Sequence, residues 1–163
     1  MCFLFFVVLL EPSMTEAELI RAVLIEGAIG GAVLSLIALL LSKFIKDIVG
    51  RTALATGLFA AAGAYFGFAI VAPVPRVWVL IELLQVIAFS AMGLAGWRGS
   101  AKWLALGWVL HPIWDFVLHY LGPGRAFAPL AYSISCITFD WVVAAYIFIY
   151  YRGASHRARN PAR

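Results

Sequence analysis

The stretch TALATGLFAAAGAYFGFAIVA, residues 52–72, decides the fold class of this chain. Its single ionisable side chain is that of Tyr65, and the other residues are apolar, small or threonine. A helix needs about 20 such residues to cross the hydrocarbon core of a bilayer. We therefore predict that this stretch is a membrane-spanning helix, and its many small residues predict close packing inside a bundle.

The rest of the chain has the same apolar character. Of its 163 residues, 64% are hydrophobic and 12% are charged, and the mean hydropathy is +0.98. A soluble domain has roughly 45–50% apolar and about 25% charged residues. Four further segments have the length and apolarity of spans, namely 19–41, 77–95, 103–121 and 130–151. We predict an all-α, polytopic membrane bundle of five transmembrane helices over residues 19–151.

The N-terminal arm, residues 1–18, contains a second methionine that is a candidate start. The opening MCFLFFVVLL is too short to span a bilayer and lacks the basic region of a secretory signal. Beyond Met14, the spacing of Thr15 and Glu18 predicts a capping box at a helix start. We interpret Met14 as the physiological start, and a short interfacial apolar arm is the alternative.

Basic residues are distributed unevenly between the two sides of the predicted bundle. Two lie in loops on one side, Arg76 and Arg125, with Arg21 near the start of the first span. Nine lie on the other side: Lys43, Lys46, Arg51, Arg98, Lys102, Arg152, Arg157, Arg159 and Arg163. Because cytoplasmic loops accumulate Lys and Arg, we predict an outside N-terminus and a basic cytoplasmic tail over residues 152–163. The expected location is the bacterial inner membrane, with lipids as partners. The net charge of +4 does not indicate nucleic acid, since these residues lie in loops and a tail.

Two pairs of glycines have the G-x-x-x-G spacing that lets helix backbones approach closely. They are Gly27 with Gly31 and Gly63 with Gly67. We expect these pairs to support packing within the bundle, and contact between copies in a homo-oligomer is the alternative.

Six acidic or imidazole groups lie inside predicted spans: Glu26, Glu82, His111, Asp115, His119 and Asp140. Each charged group at the centre of a membrane helix costs about 2.5–3.5 kcal/mol unless it pairs or protonates. With the predicted topology, Glu26, Glu82 and Asp115 lie roughly 7–11 Å below the outer boundary of the membrane. His111 and Asp140 lie near its midplane. We predict one buried site in the outer half of the membrane and take all six as candidate catalytic residues.

The stretch HPIWDFVLHY places three of these groups on one helix face, because His111, Asp115 and His119 recur at i, i+4 and i+8. Together with Glu82 they are candidate ligands of a divalent metal, although one ion cannot easily bind all three helix neighbours. The Glu-x-x-His spacing of di-iron bundles is absent. Residues that line such a site or pack beside it are Trp108, Trp114, Gln85 and Ser133. Cys136 shares a face with Asp140, and we interpret it as a small buried residue.

The same motif carries a family resemblance. With His111, Trp114, Asp115 and His119 in one helix, the chain resembles small bacterial integral membrane proteins of a family of unknown function that have a His, a Trp-Asp pair and a following His in one transmembrane helix. The resemblance implies a membrane location and a helical fold, and it implies no activity.

Three functions fit these observations. The first is a membrane enzyme that uses acid/base or metal-assisted chemistry on a lipid or small apolar substrate. The second is a structural or accessory subunit whose polar residues pair internally. The third is a proton- or ion-coupled carrier or channel. Bound metal, a stable partner protein and proton flux would distinguish them.

Overall fold

The described part of the chain is entirely helical between its loops. A computed structural model describes the backbone of residues 15–159 and the side chains of residues 15–151. Within this range there is no strand, and the main helices are α1 (Glu16–Phe44), α2 (Asp47–Val71), α3 (Arg76–Arg98), α4 (Ala101–Asp115) and α5 (Leu130–Arg159). The predicted all-α class is confirmed. The interpretation of Met14 and the apolar arm falls on residues 1–14, which lie outside the described residues.

Four of these helices are long and apolar enough to cross a membrane: α1, α2, α3 and residues Leu130–Tyr151 of α5. Each contains one of the predicted spans, except that α2 ends one residue before the predicted end at residue 72. The predicted capping box is confirmed at the start of α1, where the Thr15 side chain accepts from the backbone N–H of Glu18 and the Glu18 side chain accepts from that of Thr15. The α5 backbone continues beyond Tyr151, the predicted end of its span, to Arg159.

The predicted fourth span, residues 103–121, differs from the others because it is divided into two kinds of helix. Its α-helical part, α4, has 15 residues, and a π-helical segment, Phe116–Leu121, follows it without a break. Pro112 lies inside α4 and has no N–H to donate to the preceding turn. At the junction the N–H of Phe116 is directed at the carbonyls of both Pro112 and Ile113, and the π-helical segment begins at this residue.

The five helices form a closed ring in which each helix packs against the next along the chain and α5 packs against α1. We call the end with residues 72–75 and 122–129 the low-charge end and the opposite end the basic end. An apolar core fills the ring towards the basic end, and its fully buried members include Ala38, Leu54, Leu58, Leu104 and Trp108. The polar candidates lie on the low-charge side of this core.

The two glycine pairs have different surroundings. A Cβ atom on Gly27 would collide with the backbone of Ser135, and one on Gly31 would collide with the backbone of Phe139. These contacts, made in the same order along both helices, show that α1 and α5 are parallel and very close. A Cβ on Gly63 or Gly67 would meet nothing within 4 Å among the described residues. Homo-oligomer contact through that second pair therefore stays a prediction.

The outer surface of the ring is apolar while its interior holds ionisable groups. Large hydrophobic side chains are exposed on every helix, including Leu40, Phe59, Leu84, Val109, Val117 and Phe148. Aqueous proteins avoid contiguous exposed apolar surface of this kind, whereas lipid-facing helices require it.

Candidate functional site

The centre of the site is a contact between α4 and α5. Nδ1 of His111 donates a hydrogen bond to Oδ2 of Asp140, with 2.7 Å between the two atoms. The same nitrogen lies 3.3 Å from Oδ2 of Asp115, one helical turn further along α4. All three side chains are fully buried. We call His111, Asp115 and Asp140 the three-residue group.

A second imidazole–carboxylate contact joins the π-helical segment to α3. Nε2 of His119 lies 3.1 Å from Oε1 of Glu82 and donates to it, and both side chains are fully buried. Glu82 is also close enough to His111 to interact with it electrostatically. We call Glu82 and His119 the histidine–glutamate pair, and these two residues with the three-residue group form the polar cluster.

Tyr65 of α2 connects the two parts of the polar cluster. Its ring stacks on His119 with 4.0 Å between ring centroids, and its centroid is 6.0 Å from that of His111. Its hydroxyl donates to Oγ of Ser133 over 3.3 Å and also lies near Asp115. Four helices and the π-helical segment therefore meet around one fully buried phenol ring.

Many polar atoms of this site have no hydrogen-bond partner among the described residues. They are Oδ1 and Oδ2 of Asp115, Oδ1 of Asp140, Oε2 of Glu82, Nε2 of His111, Nδ1 of His119 and both amide atoms of Gln85. A buried polar atom without a partner costs about 1–3 kcal/mol. Native proteins hold few of them, and a concentration at one place requires an explanation.

The loop of residues 122–129 covers the polar cluster at the low-charge end. A Cβ on Gly124 would lie 2.6 Å from Cδ2 of His119, so only glycine allows this approach. The ring of Phe127 packs edge-on against His119 with 5.6 Å between centroids, and Trp78 packs against Phe127. An open groove of about 250 Å³ lies elsewhere, between α2 and α3, where Trp97 donates to Thr52.

The structure brings five of the six candidate catalytic residues together. Glu26 is the exception, because its side chain is only half-buried and forms no hydrogen bond or ion pair with any described residue. It lies on α1, which contributes no residue to the polar cluster. Distance along a span was therefore a good guide to depth, but it carried no information about the direction in which Glu26 points.

The four candidate lining residues occupy different places. Gln85 is buried on the face of α3 that carries Glu82, and Ser133 contacts the cluster through Tyr65. Trp108 is fully buried in the apolar core, where its ring packs near Phe139. Trp114 is partly buried and packs against the same core.

Two residues of the site were not among the sequence candidates. Tyr65 was interpreted as part of a scaffold helix, and Cys136 was interpreted as a small buried residue. Cys136 is indeed fully buried and forms no disulfide with any described residue, but it also lies near Asp115. Depth along the span is the signal that could have found Tyr65, because it lies as far from the low-charge end of α2 as the other groups do on their helices.

The three-residue group has the arrangement of a metal site. One ligand atom from each of its members lies within 4.8 Å of the other two. The sequence candidates for metal ligands also included Glu82 and His119, and the structure places these two side chains in a separate contact with each other. A divalent cation at such a place would act as a Lewis acid or would activate a bound water.

The site can carry out acid/base chemistry through the histidine–glutamate pair. An imidazole whose Nε2–H is directed at a carboxylate has its tautomer fixed, so its other nitrogen carries a free lone pair. In His119 that other nitrogen is Nδ1, which has no partner among the described residues. This geometry is that of an oriented general base.

Fold and site together define a helical bundle with at least four helices able to cross a membrane and a buried acidic/histidine cluster. Residues 26–155 match the model of a family of unknown function, DUF6010, and the chain belongs to this family. This confirms the predicted membership in a family of unknown function. The comparison with curated proteins gave no match, and neither did the comparison with solved structures.

Proposed function

We propose that this protein is an integral membrane enzyme of the bacterial inner membrane that acts on a lipid or a small apolar molecule. The proposal includes five spans, of which the fourth is α4 together with the π-helical segment. Two features support a fourth span of this composition. The helical backbone is continuous over residues 101–121, and its outer face carries exposed Leu106, Val109 and Ile113.

The observation that carries the enzymatic proposal is the set of unpartnered polar atoms around Tyr65. In a purely structural cluster we expect every donor and acceptor to be paired. A buried polar atom without a partner costs about 1–3 kcal/mol, whereas an interhelical hydrogen bond in a membrane contributes only about 0.6 kcal/mol on average. Gln85 contradicts that expectation most clearly, because both atoms of its buried amide lack a partner among the described residues. Active sites commonly retain such groups for a substrate or cofactor.

The roles follow from the two contacts described above. His119, oriented by Glu82, is the general base or acid. The three-residue group is the second half of the site, where a bound cation would stabilise the negative charge that develops on the substrate when His119 removes its proton. Tyr65 holds the His119 ring by stacking and offers its hydroxyl on the side of Asp115.

The position of the polar cluster favours an enzyme over a carrier. A proton pathway needs polar groups or water along the whole thickness of the membrane. In the described part of the chain, the cluster occupies only the low-charge half of the ring, and the fully buried side chains of Leu54, Leu58 and Leu104 lie on its basic side. An outer-leaflet substrate needs access to the low-charge half alone.

The test is lipid turnover by the purified protein. The wild type, Glu82→Gln and Glu16→Gln are reconstituted separately into nanodiscs that contain a bacterial lipid extract, and lipid species are followed over time by mass spectrometry. We expect the wild type to convert at least one species and Glu82→Gln to be slower by ~10²-fold or more, because loss of a general base or its orienting partner has that magnitude. Glu16 is an exposed carboxylate at the start of α1, so Glu16→Gln is the matched control.

A wild-type protein that leaves every lipid species and every added apolar compound unchanged would contradict the enzymatic proposal. Equal turnover by Glu82→Gln and the wild type would contradict the assigned role of the histidine–glutamate pair.

A further inference from the structure

We propose that His111, Asp115 and Asp140 bind one divalent transition-metal ion of the zinc class, with Nδ1 of His111 and one oxygen of each aspartate as its ligands. The inference concerns a binding site and does not depend on the enzymatic proposal. It begins from the three-residue group, whose potential ligand atoms come from two helices and converge on one point inside the ring.

The distances fit a small ion with little rearrangement. Ligand atoms that lie 2.0–2.2 Å from a tetrahedral zinc ion are about 3.4 Å from one another. Nδ1 of His111 is 3.3 Å from Oδ2 of Asp115 and 2.7 Å from Oδ2 of Asp140. The first distance already matches, and the second needs to open by about 0.7 Å. Loss of the Nδ1 proton, which metal binding requires, removes the hydrogen bond that holds the second distance short.

The unpartnered atoms provide an independent argument. Oδ1 and Oδ2 of Asp115 and Oδ1 of Asp140 have no hydrogen-bond partner among the described residues, and both side chains are fully buried. A hydrogen bond from His111 can satisfy only one of these carboxylates at a time. A cation between them accepts electron pairs from both carboxylates and from the imidazole, so it satisfies the group as a whole.

Charge balance also favours a divalent ion. Two carboxylates so close together in a medium of low dielectric constant repel each other strongly. A divalent cation with a neutral imidazole neutralises both aspartates. The three-residue group can therefore be neutral in the membrane with a single divalent ion bound.

The donor set indicates the class of metal. One imidazole nitrogen and two carboxylate oxygens suit Zn²⁺, Mn²⁺ and Fe²⁺, whereas Ca²⁺ and Mg²⁺ take oxygen ligands and Cu⁺ selects sulfur. Three protein ligands with a further open position are typical of catalytic zinc sites. Cys136 is not part of the group whose atoms converge, so we expect no thiolate ligand.

The test measures metal binding directly. The full-length protein is purified in detergent, stripped with a chelator, incubated with Zn²⁺ and desalted, and its metal content is determined by elemental analysis. We expect about one zinc per wild-type chain. Asp115→Asn and Asp140→Asn should each weaken binding by at least ~10²-fold, because each removes a charged ligand. Loss of a residue that only hydrogen-bonds a ligand already costs about 10–100-fold. Glu26→Gln removes a carboxylate that lies outside the group and should keep one zinc per chain.

Substitution with Co²⁺ gives a second readout from the wild type alone. Its visible d–d absorption should appear on binding, should lack the intense band of a thiolate ligand and should disappear when Zn²⁺ is added. A wild-type chain that binds no stoichiometric zinc, or a cobalt spectrum identical to that of Co²⁺ in buffer, would overturn the proposal even if both aspartate variants failed to fold. Metal binding without lipid turnover would leave this site standing and would count against the enzymatic proposal alone.

Discussion

Asp115 and Asp140 show how differently two fully buried aspartates can be held. Asp140 accepts a hydrogen bond from His111, and this contact fixes its position across the interface of α4 and α5. Asp115 follows His111 by one turn on the same helix, where neither of its oxygens accepts a hydrogen bond of good geometry. Asp115 is therefore held less firmly by His111 than Asp140 is, and the Tyr65 hydroxyl and Cys136 lie near its carboxylate.

A pair of histidine variants tests the division of the site into two parts. His119→Gln should retain about one zinc per chain, because His119 contacts Glu82 and not the three-residue group. Its lipid turnover should fall by ~10²- to 10⁴-fold, the usual effect of removing a general acid or base. His111→Gln should lose both zinc and turnover. Elemental analysis and the nanodisc assay measure the two quantities on the same preparations. Loss of zinc from His119→Gln would show that the two parts act as one metal site.

At the residue scale, the sequence predicted which face of the fourth helix is polar, but not which partners its residues choose. The spacing of His111, Asp115 and His119 is a local property that helix geometry converts into one stripe. The partners lie on other helices. Which residues meet depends on the rotation and tilt of each helix in the bundle, and the sequence of one segment does not specify these. Glu82 could be placed at the right depth from sequence, whereas its contact with His119 depends on a π-helical segment that the spacing did not predict.

At the scale of helices, α1 and α5 depend on glycine for their contact. A Cβ on Gly27 would lie 2.5 Å from Oγ1 of Thr138, besides its collision with the backbone of Ser135. Thr138 in turn donates a hydrogen bond of 2.6 Å to the carbonyl of Leu24, so a wider separation also breaks an interhelical bond. Backbone atoms cannot move away as a flexible side chain would.

Gly27→Ala should therefore destabilise the protein. Overpacking at a tight contact costs about 1–3 kcal/mol, which exceeds the gain of up to about 1 kcal/mol from replacing glycine in a helix. The measurement is thermal unfolding in detergent. Gly63→Ala is the matched control, since a Cβ there meets nothing within 4 Å among the described residues, and it should leave the unfolding temperature unchanged or slightly higher. Equal losses from the two variants would mean that copies of the chain pack on the Gly63 face.

The long apolar helices and their order could be predicted because each depends on the apolar character of one continuous segment. The division of the predicted fourth span could not be, since Pro112 predicts a disturbed hydrogen-bond ladder but does not specify a π-helical segment as its result. That segment matters for the site. A π-helical turn contains more residues than an α-helical turn, so it changes the direction in which His119 points relative to an uninterrupted α-helix.

At the scale of the whole molecule, charge is distributed along the bundle axis in two opposite ways. The buried acidic and histidine groups inside the ring collect in the low-charge half, whereas most basic residues lie near the helix ends at the opposite end of the bundle. At the basic end, Arg51 donates to the backbone carbonyls of Gly96 and Gly99 and pairs with Asp47. This contact ties α2 to the α3–α4 loop, so part of the basic end has a structural role in addition to its effect on orientation.

The predicted orientation places the low-charge end outside the cell and the basic end in the cytoplasm. The reason is the excess of nine basic residues over two in the segments that join or follow the helices, because such residues resist translocation across the membrane. A fluorescent-protein fusion after Gly153 should be active, as required for a cytoplasmic C-terminus, and an alkaline phosphatase fusion at the same position should be inactive. Phosphatase inserted in the loop of residues 72–75 should show the opposite result.

Cleavage of the C-terminal tail by protease added to intact cells would reverse the orientation and would place the histidine–glutamate pair in the cytoplasmic leaflet. The substrate would then have to enter from the inner leaflet, and the structure of the site itself would be unchanged.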